Sequence, residues 1–136
     1  MQSSVGLRLE FYRNSMEMLK ERPLLGTGTG GFAIGYAEHV TSKGMVATDN
    51  PHNAFLLVGV ELGVLGLAVL MRLLFVQWRT AAALPTTIDC LAARSLLIVY
   101  VVASMVSSTF NDHVEGLFFV WASALLWAPL RGERTS

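Results

Sequence analysis

The chain has 136 residues and a formal net charge of zero, so it holds about one domain's worth of material and lacks the basic field that nucleic-acid binding requires. Apolar residues make up 53% and charged residues only 15%, with mean hydropathy +0.51; ordinary globular domains carry ~25% charged residues, so the composition points to a membrane protein. A single cysteine, Cys90, excludes an internal disulfide and any CxxC metal or redox motif.

The first residues, "MQSSVGLRLEFYRNS", are too charged for a signal peptide. Ser3 and Ser4 are both suitable N-caps for the stretch that follows. In it, Leu9, Tyr12, Met16 and Leu19 recur at helical spacing, opposed by Arg13, Glu17, Lys20 and Glu21. This predicts an amphipathic helix that ends before Pro23, because proline drives its predecessor out of helical geometry. The pattern fits a helix packed on protein and one lying on a membrane surface equally well.

From Pro23 to Asn53 the chain is rich in Gly, Thr, Ser and Asn and reads as an irregular loop. Gly26, Gly28 and Gly31 match G-x-G-x-x-G, with Asp49 downstream, but a dinucleotide site needs a strand before that motif and a long helix after it. A charged helix precedes it here. The glycines are therefore read as turn-formers that permit positive φ.

Ala54 to about Val76 is long enough to cross a membrane, since ~20 helical residues span a ~30 Å hydrocarbon core. Glu61 lies inside this run. Eleven Leu, Val or Phe residues between Phe55 and Leu70 contribute about −3 to −7 kcal/mol to insertion, against roughly 3 kcal/mol for a mid-helix acid. Insertion wins. Gly59 and Gly63 form a G-x-x-x-G pair suited to close packing on another helix, with Glu61 projecting from the opposite side toward a polar cavity or partner.

"WRTAAALPTTID" reads as a connector, with Arg72 and Arg79 near one membrane edge and Arg94 near the start of the next span. That span covers about residues 90–110. "NDHVE" is a polar turn, 116–130 is a third, short apolar run of ~22 Å, and 131–136 is a polar tail with Arg131, Glu133 and Arg134. The expected fold class is all-α: part of a polytopic membrane protein, with an N-terminal amphipathic helix and Gly-rich loop (1–53) followed by about three membrane helices within 54–130. Five Lys/Arg fall on each side of this arrangement, so charge alone does not orient it.

Among chemically competent residues, His52 stands at the expected water boundary, where an imidazole stays solvated enough to act as a general base; a helix-capping or interfacial histidine has the same placement. Asn53 or Asp49 suits a cap of the first span. Arg8, Arg13, Arg22 and Lys43 are able to hold phosphate and equally to be solvated surface charges. His39 and His113 show no metal-ligand spacing, so no metal is expected. No nucleophile elbow is present.

"RLEFYRNSMEMLKERPLLGTGTGGF", followed by "NPHNAFLLVGVELGVLGL", resembles the C-terminal signature of the O-antigen ligase and polymerase superfamily of bacterial envelope proteins. The likeness covers about Val5 to Leu67. It implies a multi-pass inner-membrane enzyme whose loop faces outward, moving a glycan from a polyprenyl diphosphate carrier to the hydroxyl of a lipid or saccharide acceptor, with membrane lipid around it and no cofactor. By that resemblance His52 is the catalytic histidine, Arg8 engages the carrier diphosphate, Arg13 is a second candidate for it, and Asn53 and Glu61 support substrate binding. Members carry more spans upstream, so an upstream membrane portion is an expected partner. A polymerase fits the same residues, as does a non-catalytic or transporter-like subunit in which Glu61 lines a pathway and His52 caps a helix.

Overall fold

A computed structural model of the chain describes residues 4–41, 43–108 and 113–128. Ser3, the start of the polar turn at 111–112, the ends of the second and third apolar runs at 109–110 and 129–130, and the tail with Arg131, Glu133 and Arg134 lie outside the described residues. The described residues form five helices: α1 (Ser4–Glu21), α2 (Phe32–Thr41), α3 (Ala54–Ala81), α4 (Thr87–Val106) and α5 (His113–Trp127). The all-α fold class read from the sequence holds.

The molecule has two kinds of interior. Next to the N-terminus, α1, α2 and the first turns of α3 enclose a core of Phe11, Met18, Phe32, Tyr36, Val40, Leu57 and Val60. Phe32 stacks on Tyr36 at 5.4 Å between ring centroids, and Phe11 meets Tyr36 edge-on at 6.0 Å. The hydroxyl of Tyr36, inside this core, accepts a hydrogen bond from the buried Asn14 amide at 3.1 Å; burial pushes its pKa up. The Gly-rich stretch is thus not wholly irregular. Phe32, Tyr36 and Val40 recur every four residues and bury one stripe of a ten-residue helix, a signal too short to stand out beside the neighbouring turn glycines.

The second interior lies between α3, α4 and α5, where Leu74, Leu97, Tyr100 and Phe119 pack together and Ala81, Leu84 and Ala93 close the far end. Trp127 ties α5 to α3 by donating from Nε1 to Thr80 Oγ1 at 2.8 Å, and Arg94 lies 5.0 Å from the Trp78 ring. Only 28% of the most apolar window of α3 and 22% of that of α4 are buried. Val69, Phe75, Ile98, Val99, Val102 and Val106 face outward. A soluble helical core would cover such faces; lipid covers them without polar partners.

α3 is longer than the expected span, reaching Ala81, so the connector shrinks to residues 82–86. It is also not one rod. Gly63 adopts φ 66, ψ −164 inside it, and a side chain on Gly59 would stand 3.2 Å from Leu67. Eight residues along a straight helix rise ~12 Å, so that approach requires the two limbs to bend toward each other. The second limb, residues 64–81, rises ~27 Å and approaches hydrocarbon thickness alone. Arg72, placed near a membrane edge by an unbroken span, falls halfway along this limb.

The break also revises the role of the G-x-x-x-G pair. A break leaves carbonyls and amides without helical partners, and the Gly-rich loop supplies them. Thr27 and Gly28 amides donate to the carbonyls of Val60 and Glu61, each at 2.8 Å, and the Val64 amide donates to Pro23 carbonyl at 2.7 Å. A Cβ on Gly63 would overlap the Leu24 carbonyl, and one on Gly26 would overlap that of Val60. Gly63 and Gly26 thus seat a loop against a broken helix, whereas Gly59, the other half of the pair, faces Leu19 of α1 as a helix-packing glycine does.

Candidate functional site

The site is built where the loop before α3, the middle of α1 and the C-terminal end of α4 meet. Asn53 starts α3 as its N-cap: Oδ1 accepts from Leu56 amide at 3.0 Å, while Nδ2 donates to Met105 carbonyl at 3.0 Å. Both ends of its amide are therefore committed to the fold. One residue earlier, His52 holds φ 55, the one non-glycine with positive φ among the described residues. That left-handed conformation costs about 1–2 kcal/mol and marks a place that surrounding structure must enforce.

The enforcement is visible. His52 amide donates to Asn50 Oδ1 at 2.7 Å, an Asx turn, and Ser108 Oγ donates to the same oxygen. Ala54 amide donates to Ser107 carbonyl at 3.1 Å. Tyr12 Oη lies 2.8 Å from Met105 carbonyl and 3.2 Å from His52 carbonyl. Pro51 and Ala54 are fully buried, yet His52 between them is exposed, its ring 6.4 Å from Phe11. A ring held this way, with no hydrogen bond to its nitrogens among the described residues, is open to exchange protons with an incoming group.

Arg8 is exposed one helical turn before Tyr12, so it shares the side of α1 that meets the His52 turn. Arg13 points roughly 140° away at ~100° per residue. Its Nε donates to Glu17 Oε1 at 3.2 Å. There it joins a cluster in which Lys43 Nζ reaches Glu17 Oε2 at 2.7 Å and His39 bridges Glu17 and Glu21 at 3.2 and 3.4 Å. Lys43 foremost, then His39 and Arg13, hold the Glu17 carboxyl down to about 2. Beside this cluster a cleft of about 420 Å³ opens between α1, the loop and α2, lined by Glu21, Arg22, Glu38 and His39 among others; His52 does not line it.

Glu61 sits at the α3 break. Its Oε1 accepts from Phe32 amide at 3.4 Å, while its carbonyl holds Gly28. The carboxylate thus meets the N-terminus of α2, where the helix dipole favours negative charge. Its place within an apolar run is explained by this contact: the loop brings a polar partner to it. The structure brings His52 and Asn53 together with Tyr12 of α1 and leaves Arg8 one helical turn from Tyr12 with no hydrogen bond to them among the described residues. It puts Glu61 ~10 Å along α3 from Ala54 and turns Arg13 elsewhere. Tyr12, Asn50 and Ser108 were not singled out from sequence. Asn50 carried a signal, two residues before a histidine in an N-P-H turn, whereas Tyr12 meets His52 across 40 residues and carried none.

A family model described as O-antigen ligase matches residues 2–71, just over half of the chain. The chain belongs to the O-antigen ligase family. The matched segment contains α1, the Gly-rich loop, α2, the His52 turn and the break in α3, so it holds the α1 and His52 parts of the site built above, while the end of α4 that braces them lies outside it. With the apolar outward faces of α3 and α4, it makes this a membrane protein with an O-antigen ligase- or polymerase-like role, a family that implies lipid-linked saccharide substrates in general. A comparison with curated proteins finds no match.

Proposed function

We propose that the chain is the C-terminal part of a glycosyltransferase in a bacterial inner membrane, with its N-terminal module outside the cytoplasm, and that it transfers a glycan from a polyprenyl diphosphate to an acceptor hydroxyl. The hydroxyl oxygen attacks the anomeric carbon. The bond from that carbon to the diphosphate oxygen breaks, its electron pair leaves with the carrier diphosphate, and the hydroxyl proton passes to the His52 imidazole. Arg8 offsets the charge that grows on the departing diphosphate, a term that matters most where water is scarce. Carrier lipid lives in the bilayer and acceptor sugar in water, so a histidine at the outer end of two apolar helices suits both.

The observation that supports this reading most is the His52 turn: a strained, exposed imidazole between two buried residues, braced to the end of α4. A plain capping histidine needs none of this, because Asn53 already caps α3. Replacing His52 with Ala in the full-length protein is expected to lower glycan transfer by about 10²-fold or more at equal abundance. Transfer at the wild-type rate would remove the catalytic role and leave the non-catalytic subunit reading in its place.

A further inference from the structure

We propose that Tyr12 and Asn50 are positioning residues for His52, acting through its backbone to fix where the imidazole stands; the inference rests on the catalytic reading of His52 above. A general base is ordinarily aimed by a group bonded to its second ring nitrogen. Among the described residues His52 has no such bond, and the aromatic ring nearest its own is Phe11 at 6.4 Å. Its place must therefore be set through the peptide groups on either side. The amide is held by Asn50 Oδ1 at 2.7 Å. The carbonyl lies against the Tyr12 hydroxyl at 3.2 Å.

Both braces lead to the same support. A tyrosine hydroxyl has one hydrogen, and the shorter contact, 2.8 Å, is to Met105 carbonyl in the last turn of α4, so the hydroxyl donates chiefly there while touching His52. Asn50 Oδ1 takes its second hydrogen bond from Ser108, just past the same helix end. The left-handed turn would relax to an extended form without these contacts, and the ring would swing with it. The division of labour leaves both imidazole nitrogens available to substrate. It also couples the base to a membrane helix, so the hydroxyl to be deprotonated is met at a fixed height over the bilayer.

The test uses the full chain in lipid nanodiscs with a polyprenyl diphosphate-linked glycan. Tyr12→Phe and Asn50→Ala are each expected to lower kcat by about 10- to 100-fold while KM for the lipid-linked glycan changes less than about twofold. Asn50→Asp keeps an oxygen for both donors and recovers most of the rate. In a His52→Gly background assisted by added imidazole, Tyr12→Phe changes the rescued rate by less than about twofold, because free imidazole does not depend on the brace. Equal losses in both backgrounds would assign Tyr12 to general structure and overturn the proposal. NMR of labelled histidine without substrate separates the brace from the chemistry. Unmoved His52 ring signals in Asn50→Ala overturn the brace whatever the transfer rate. Displaced signals together with an active His52→Ala protein keep the brace and remove the base.

Discussion

At the scale of single residues, Gly63 is a position where chemistry allows almost no substitution. Its φ of 66 lies in the region side chains avoid, and any Cβ would enter the Leu24 carbonyl. Gly63→Ala is therefore expected to destabilise the protein by roughly 2–4 kcal/mol, the sum of backbone strain and a clash with main chain that has no room to give. Gly59 supplies the contrast four residues earlier. A Cβ there meets only the side chains of Leu67 and Leu19, at 3.2 and 3.4 Å, which have rotamers to yield. Gly59→Ala should then fall within about 1 kcal/mol of wild type, helped by the better helix propensity of alanine. Thermal unfolding of both variants in one detergent decides it; equal shifts would mean that the break at Gly63 is not a fixed feature.

At the scale of elements, the α1–α2 module is held by a buried apolar stripe and an exposed charge cluster that respond differently to conditions. Glu17 has its carboxyl pKa lowered from 4.5 to about 2. A depressed folded value means its contribution is present above about pH 4.5 and disappears as pH falls toward 2. Wild type should lose stability over that window by more than Glu17→Gln does, and less so in high salt because the pair is exposed. Parallel acid profiles for the two proteins would refute the role of the cluster. Glu61 gives a second element-scale expectation. Glu61→Gln retains an oxygen for Phe32 amide and loses only the charge–dipole contribution, about 0.3–1 kcal/mol. Glu61→Leu removes the cap, and limited proteolysis should then cut between the Gly-rich loop and α2; equal resistance in the two variants would show that the carboxylate does not hold α2. The two kinds of element were not equally legible in the sequence. α1 was readable as a helix ending before Pro23, and the apolar helices as long runs of Leu, Val and Phe, because those patterns are local. The face α1 buries, however, is the one with Phe11, Asn14, Ser15 and Met18, while Leu9 and Met16 of the expected stripe are exposed. The His52–Asn53 edge was readable as a polar lip followed by an apolar run. α2 was obscured because ten residues with Gly35 inside give little periodicity. The break at Gly63 was misread as helix-packing glycine because its cause, the Pro23–Gly28 backbone, lies more than thirty residues away. The same holds for Tyr12, whose meaning depends on where α4 ends.

At the scale of the whole molecule, orientation follows from which end of the apolar helices carries the site. Charge does not decide it, with equal numbers of Lys and Arg on either side of the proposed boundary. The His52 turn is bonded to Met105, Ser107 and Ser108 at one end of α4. Cys90 lies fifteen residues before Met105 on the same helix, ~22 Å away, beside the short connector and within a turn or so of Arg94. The proposed placement of the site outside the cytoplasm predicts Cys90 at the cytoplasmic face. In intact cells a membrane-permeant thiol reagent should label Cys90 and an impermeant one should not, with the impermeant reagent becoming effective once vesicles are inverted. An Ala33→Cys, Cys90→Ser protein, carrying its thiol at an exposed position of α2, should behave in the opposite way. Partial burial of Cys90 slows both reagents alike, so the comparison rests on sidedness and not on rate. Labelling of both proteins by the impermeant reagent from the same side would put module and connector together, which a membrane-length α4 forbids, and the helices would then have to be packed inside a larger soluble body.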